Sequence, residues 1–288
     1  MRLLLIGHTG QLGWELHRAL LPLGEVQVCD QPQVDLSVPA SLPALLDQAR
    51  PDIIVNAAAY TAVDAAETQP ELAYAVNAHS PGVLADWAAA HDAALIHYST
   101  DYVFDGTLGR PYHEADTPAP CNVYGASKLA GEAAIVAADP AHLILRTSWV
   151  YSLRRPSFVT SVLRWSQTQD TLRIVSDQIG SPTWARQLAE ITALLLARAT
   201  VDPHAWIGAR RGIYHLAGDG AASRLDWAAA IIADLPHPPH LEAARTADFP
   251  SPAQRPSFSA LDCARFASTF GLRLPPWQTA LQLALAAL

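Results

Sequence analysis

The apolar run Arg2–Ile6 breaks directly into Gly7-His8-Thr9-Gly10-Gln11-Leu12-Gly13, and a helical pattern opens at Gln11. A strand that turns through three glycines into a helix ties the start of the chain to an α/β layer. The first glycine permits the tight turn, the second lets backbone approach a ligand, and the third lets the helix lie close on the strand. The helix then points unpaired N–H groups and the positive end of its dipole beyond the strand end, which suits a pyrophosphate. The expected ligand is a dinucleotide, held by Gly7, Gly10, Gln11, Leu12 and Gly13.

The pattern continues. Strands are expected at Arg2–Ile6, Glu25–Cys29, Asp52–Asn56, Ala94–Tyr98 and Leu143–Thr147. Helices are expected between them at Gln11–Leu21, Pro39–Ala49, Glu71–Ala90 and Asn122–Ala138. Such alternation predicts a Rossmann-type, doubly wound parallel sheet with helices on both faces. Its ligands should lie beyond the carboxyl ends of the strands, at Gly7, Asn56, Ser99 and Thr147. After about Val150 the regularity fades into loops such as Pro236-His237-Pro238-Pro239, with helices expected at Pro156–Ser166, Trp184–Ala199, Arg224–Ala233 and Pro276–Ala287. Residues 1–150 are read as the dinucleotide-binding domain. Residues 151–288 are read mainly as a smaller, irregular C-terminal substrate-binding lobe, some of whose segments return to the first domain.

Composition narrows the partners. A chain of 288 residues, half of them apolar, can bury a full core, which excludes disorder and disulfide-stapled miniature folds. No run reaches the roughly 18 apolar residues of a membrane span, and Leu3–Ile6 is too short for a signal sequence. The formal charge of −8 disfavours nucleic acid and anionic lipid, while leaving room for an anionic small molecule. Cys29, Cys121 and Cys263 form no C-x-x-C pair and are read as reduced thiols, so the expected compartment is the cytoplasm.

Among 19 basic residues there is a single lysine, Lys128, and it closes Tyr124-Gly125-Ala126-Ser127-Lys128 on an expected helix. At i and i+4 the two side chains share a face. A phenol is a poor acid–base group at neutral pH, and an ammonium alongside would favour its phenolate. Tyr124 and Lys128 are therefore the candidate catalytic pair. Thr100, at the end of the fourth strand, adds a hydroxyl that could donate to a carbonyl oxygen. This hydroxyl–phenol–ammonium set suits hydride transfer at a carbonyl carbon. Asp30 ends the second strand, where it reads either as a ribose acceptor that favours NADH over NADPH or as an exposed loop acid. Trp149 offers a flat apolar face to a deoxysugar, or packs the lobes together. Arg255 reads equally as a diphosphate partner or a salt-bridged surface arginine.

The spacing G-x-x-G-x-x-G resembles that of the extended short-chain dehydrogenases, and longer strings narrow the resemblance. Asn56-Ala57-Ala58-Ala59-Tyr60-Thr61-Ala62-Val63-Asp64, Ser99-Thr100-Asp101-Tyr102-Val103-Phe104-Asp105-Gly106 and Arg146-Thr147-Ser148-Trp149-Val150-Tyr151 are similar to the dTDP-4-dehydrorhamnose reductase family. Asp177-Gln178-Ile179-Gly180-Ser181-Pro182-Thr183 and Arg255-Pro256-Ser257-Phe258-Ser259 extend the match through most of the chain.

The resemblance implies reduction of a nucleotide-sugar ketone, with Tyr124 as proton donor and Lys128 binding the cofactor beside it. It implies that Thr100 tunes the tyrosine, and that Thr100, Asp101 and Trp149 meet the sugar. Gly10, Gln11, Leu12, Asp30, Asp35, Leu36, Ala59, Tyr60, Thr61 and Tyr98 fall at the family's cofactor positions. Some members dimerise around Mg2+ held by glutamates, two of which match Glu15 and Glu190. No acid follows Asp262 to supply a third; two carboxylates per chain could still hold Mg2+ with water, but the favoured reading is two solvated helix acids, and no metal is assigned. A monomer and a homodimer both remain open. The alternatives are a nucleotide-sugar 4-epimerase, which shares the Tyr–Lys pair, and a non-catalytic regulatory subunit of methionine adenosyltransferase, which an intact Thr100, Tyr124 and Lys128 argues against.

Overall fold

The computed structural model describes residues 1–287. At its centre is a six-stranded sheet: β1 (Arg2–Ile6), β2 (Glu25–Cys29), β3 (Ile53–Asn56), β4 (Ala94–Thr100), β5 (Ala141–Thr147) and β6 (Gly212–His215). The spatial order is β6-β5-β4-β3-β1-β2, and every neighbouring pair is parallel. Alternate side chains feed two cores. Leu3, Leu5, Val55, Ile96 and Leu143 pack with the Gln11–Leu20 and Ala185–Leu196 helices. Leu4, Ile6, Ile54, Leu95 and Ile144 pack with the Leu42–Ala49, Ser80–Ala90 and Val123–Ala138 helices. Burial on both faces explains why these strands read as continuous apolar runs. Each buried aliphatic side chain contributes about 1.5–3 kcal/mol.

The chain runs outward from β1 in both directions, to β2 on one side and β3 on the other. The cleft opens at that switch point. Two features depart from the expectation. β6 comes from the second half and pairs with β5 from Gly212↔Leu143 to His215↔Arg146. The helix expected over Glu71–Ala90 is broken at Ala75–His79 by a π turn, which also accommodates Pro81 just beyond it. That turn carries Asn77 inward, where its amide bonds the backbone N–H and carbonyl of Tyr60 and the Ser127 hydroxyl.

The rest of the second half gathers around Trp227, Trp184 and Trp277 as a separate core. A two-stranded parallel ladder, Thr171–Val175 with His240–Ala244, edges it. Two of its helices start at reciprocal caps: Ser157 with Thr160 starts one at Phe158, two residues inside the expected limit, and Ser223 with Asp226 starts the other at Arg224, as expected. Among the described residues no helix is long and apolar enough to cross a membrane.

Candidate active site

The cleft at the switch point holds about 580 Å3. Its floor is the glycine turn. Gly7 has φ +86°, and a Cβ there would stand 2.7 Å from the Ala58 nitrogen. A Cβ on Gly13 would stand 2.0 Å from the Gly7 carbonyl oxygen, so Gly13 serves the helix–strand contact and not the cleft itself. No side chain caps the Gln11–Leu20 helix, which leaves its first N–H groups free to meet an anion. Gln11, Leu12, Asp30, Ala59, Thr61 and Tyr98 line the same space. Ser99 Oγ and Thr147 Oγ1 are buried in its wall with no hydrogen-bond partner among the described residues, so polar ligand groups fit there. The residues present therefore fit a dinucleotide.

Asp30 is engaged. Its Oδ2 accepts from the Thr9 N–H at 3.1 Å and from the Thr9 hydroxyl at 2.6 Å. Burial alone would raise this carboxyl, but the bonds from Thr9 and Gln31 outweigh it and hold it below its usual range. Asp35, Leu36 and Tyr60 lie outside the cleft walls. Asp35 accepts from the Ser37 N–H, Leu36 is buried under the sheet, and the Tyr60 hydroxyl bonds Gln69.

Thr100, Tyr124 and Lys128 meet in the same cleft, at the end of β4 and the first turns of the Val123–Ala138 helix. Asn122 starts that helix by accepting from the Gly125 N–H at 2.7 Å. Here the structure corrects two expectations. Lys128 does not bond the phenol. Its side chain runs into the protein, where Nζ donates to the Tyr98 carbonyl at 2.7 Å and faces His97 Nε2 at 3.1 Å. Burial pushes the Tyr124 phenol above its ordinary range, the Thr100 hydroxyl beside it works the other way, and Asp101 and Tyr102 raise it further. The Thr100 proton is also committed, because Oγ1 donates to Asp101 Oδ1 at 3.1 Å.

Asp101 in turn is 2% exposed and takes further bonds from the hydroxyls of Ser148 and Ser259. Burial raises its carboxyl to about 6 against those three donors. Its oxygens are spent inside the protein, which makes it the anchor of Thr100.

Trp149 stands at the mouth with φ +45°, a left-handed conformation that costs a non-glycine residue about 1–3 kcal/mol. The Arg224 guanidinium lies 3.6 Å from its ring centre, and Trp227 stacks 5.6 Å away. Arg255 lies in an adjoining recess of about 400 Å3, which it shares with Arg224, Phe158, Trp165 and Phe249. It is ion-paired with Asp64 at 2.7 Å. No motif singles out Arg224, yet its position in the sequence carries a signal. A base at the first position of a helix opposes the dipole, and such a placement needs another reason. Tyr102, 8% exposed, lies near both arginines and was missed because buried tyrosines are ordinary core residues.

Glu15 departs from the expected solvated acid. It is 7% exposed where the Gln11–Leu20 and Ala185–Leu196 helices pack, and lies 3.4 Å from Arg186 Nε. Glu190 is exposed, with its carboxyl raised by partial burial and by Glu15. Among the described residues no three His, Cys, Asp or Glu side chains gather as metal ligands.

The sequence family described as RmlD substrate binding domain matches residues 1–288. The chain belongs to the dTDP-4-dehydrorhamnose reductase family. It is 42% identical to the dTDP-4-dehydrorhamnose reductase of Burkholderia thailandensis, over 98% of this chain and 97% of that one. The crystal structure of a dTDP-4-dehydrorhamnose reductase from Clostridium acetobutylicum superposes with a TM-score of 0.92 at 32% identity, covering 100% of this chain and 99% of that one. The Bacillus anthracis dTDP-4-dehydrorhamnose reductase, solved in complex with NADP, gives 0.91 at 30% identity with the same coverage. Membership in the family thus rests on the whole length of the chain.

Proposed function

We propose that the chain reduces the C4 ketone of dTDP-4-dehydro-L-rhamnose to dTDP-L-rhamnose, with NADH or NADPH as reductant. The observation that carries this reading is a half-buried phenol, Tyr124, kept protonated beside Thr100 at the rim of a cleft whose floor is a glycine turn. The dinucleotide supplies a hydride when bound. Gly7, Gly10 and the free N–H groups after them would hold its phosphates, and Asp30 its adenosine ribose. Tyr124 delivers its proton to the ketone oxygen, and Thr100, tied down by Asp101, orients the phenol. Trp149 presents an apolar ring to the 6-deoxysugar. Arg224 and Arg255 take the diphosphate, and the aromatic wall of the adjoining recess suits a pyrimidine base. Cys29 and Cys263, pushed up to about 12 chiefly by burial, are inert thiols that fit the cytoplasm. Every residue invoked lies on one chain, so a monomer suffices and a homodimer is compatible.

The test follows reduced-nicotinamide absorbance with the keto sugar nucleotide and the full-length protein. The expected result is one NADH or NADPH consumed per ketone reduced. In Tyr124→Phe the rate should fall by about 10²–10⁴-fold while cofactor affinity stays. Binding of cofactor and sugar nucleotide with no net consumption would overturn the reductase reading in favour of an epimerase.

A further inference from the structure

Behind the cleft, Lys128 leads into two polar groups that the reduction does not use. His97 on β4 and Asn56 at the end of β3 are both fully buried, and Lys128 is 1% exposed. The orientation of the Asn56 amide is fixed, because its Oδ1 accepts from the Ala58 N–H at 3.2 Å. Its Nδ2 therefore donates to His97 Nδ1, 3.1 Å away. Nδ1 must accept, so the imidazole proton sits on Nε2, and Nε2 faces Lys128 Nζ at 3.1 Å.

An ammonium carries three donors and no acceptor, and would set N–H against N–H. An amine has a lone pair for the His97 N–H and still a hydrogen for the Tyr98 carbonyl at 2.7 Å. Burial leaves neither group exposed to solvent. We propose that His97 is a positioning residue that favours the uncharged amine of Lys128 in the free protein, so that at mildly alkaline pH binding of the anionic nicotinamide dinucleotide is accompanied by uptake of up to one proton from solvent onto Lys128 Nζ. The proposal rests on the cofactor reading of the cleft given above.

The surroundings agree. Burial lowers the Lys128 amine to about 8, with Glu132 pulling in the opposite direction. Burial and the neighbouring Lys128 lower His97 well below its usual value, so the imidazole cannot store the proton itself. Glu132, one turn along the same helix, is held bidentately by Arg146 of β5 at 2.9 and 2.6 Å. On β4 the Tyr98 hydroxyl is engaged by Thr192, and just beyond the strand Asp101 is engaged by its three hydroxyls. Of the acids before the π turn, Asp64 pairs with Arg255 and Glu67 accepts from the Val123 N–H. None of these acids has Lys128 as its partner.

The experiment is calorimetric titration of NADH into the full-length protein just above pH 8, in buffers of different ionisation heat. The expected result is buffer-dependent heat equal to uptake of up to one proton per NADH, lost in Lys128→Met. Asn56→Asp should also lose it, because a carboxylate accepts the imidazole proton on Nδ1 and leaves Nε2 to accept from an ammonium. A 15N spectrum of the free native protein should show His97 as the neutral Nε2–H form, a readout independent of whether either variant folds. Binding without proton uptake, unchanged uptake in folded Asn56→Asp, or a His97 proton on Nδ1 would each overturn the proposal alone. Failure of both NADH and NADPH to bind would overturn the cofactor reading and the proposal together.

Discussion

The two walls of the cleft are built by opposite means. The β1–β3 side is made of backbone: a glycine turn, a helix end without a side-chain cap and the small residues Ala57–Ala59. The other side is made of large side chains locked against one another, with Trp149 in a left-handed conformation between Arg224 and Trp227. The first wall is suited to a ligand part that is the same in every dinucleotide. The second can discriminate, because its shape depends on particular side chains. The contrast teaches where variation should be tolerated: almost nowhere on the first wall, and on the second at a cost in specificity rather than in folding.

The largest predicted effect breaks the backbone wall. Gly13→Ala forces a Cβ to within 2.0 Å of a carbonyl oxygen, and should cost about 3 kcal/mol in unfolding free energy along with cofactor binding. Denaturant melts and NADH titration check this. The pH dependence of Asp101 comes next, at the seam between the walls. Its folded-state carboxyl titrates at about 6 against an ordinary 3.8. The folded state therefore prefers the protonated form, a contribution present in full below about pH 4 and lost as pH rises through about 6. Relative to Asp101→Asn, the native protein should lose about 3 kcal/mol across that window, an upper figure measured by denaturant melts at each pH. Trp149→Ala sharpens the comparison: kcat/KM for the sugar nucleotide should fall about 10–100-fold while NADH affinity holds. If both fall together, the two walls are not independent. The smallest effect is Asp30→Ala, which removes repulsion of a 2′-phosphate and should raise the NADPH/NADH preference by about tenfold in kcat/KM.

The inner strands of the sheet were legible because both faces are buried and they carry apolar runs, as in Leu3–Ile6 and Ile53–Val55, while the edge strand Glu25–Cys29 was legible through its alternation of polar and apolar residues. Gly212–His215 was not, since a four-residue edge strand opening on glycine carries little periodicity. The π turn escaped because it is a single-turn insertion, Ala75–His79, inside an otherwise helical stretch, and such turns are rare and carry no residue signature of their own. In the site, residue types and spacing identified Tyr124, Lys128 and Thr100 as one group, and the structure does gather them. Spacing could not reveal that Lys128 points away from the phenol, because an i,i+4 relation fixes where side chains start and not where a four-carbon chain ends. Nor could it link His97 to Asn56, which lie on adjacent strands 41 residues apart.

The late arrival of β6 bears on how the molecule is made. During synthesis the first five strands, ending at Thr147, leave the ribosome well before Gly212 does. For that interval the outer edge of β5 presents a row of unpaired backbone groups, a template for pairing with another nascent chain. A ribosome that pauses between residues 147 and 212 would prolong the exposure. Pairing of Gly212–His215 along Leu143–Arg146 is what closes that edge once the second half is made.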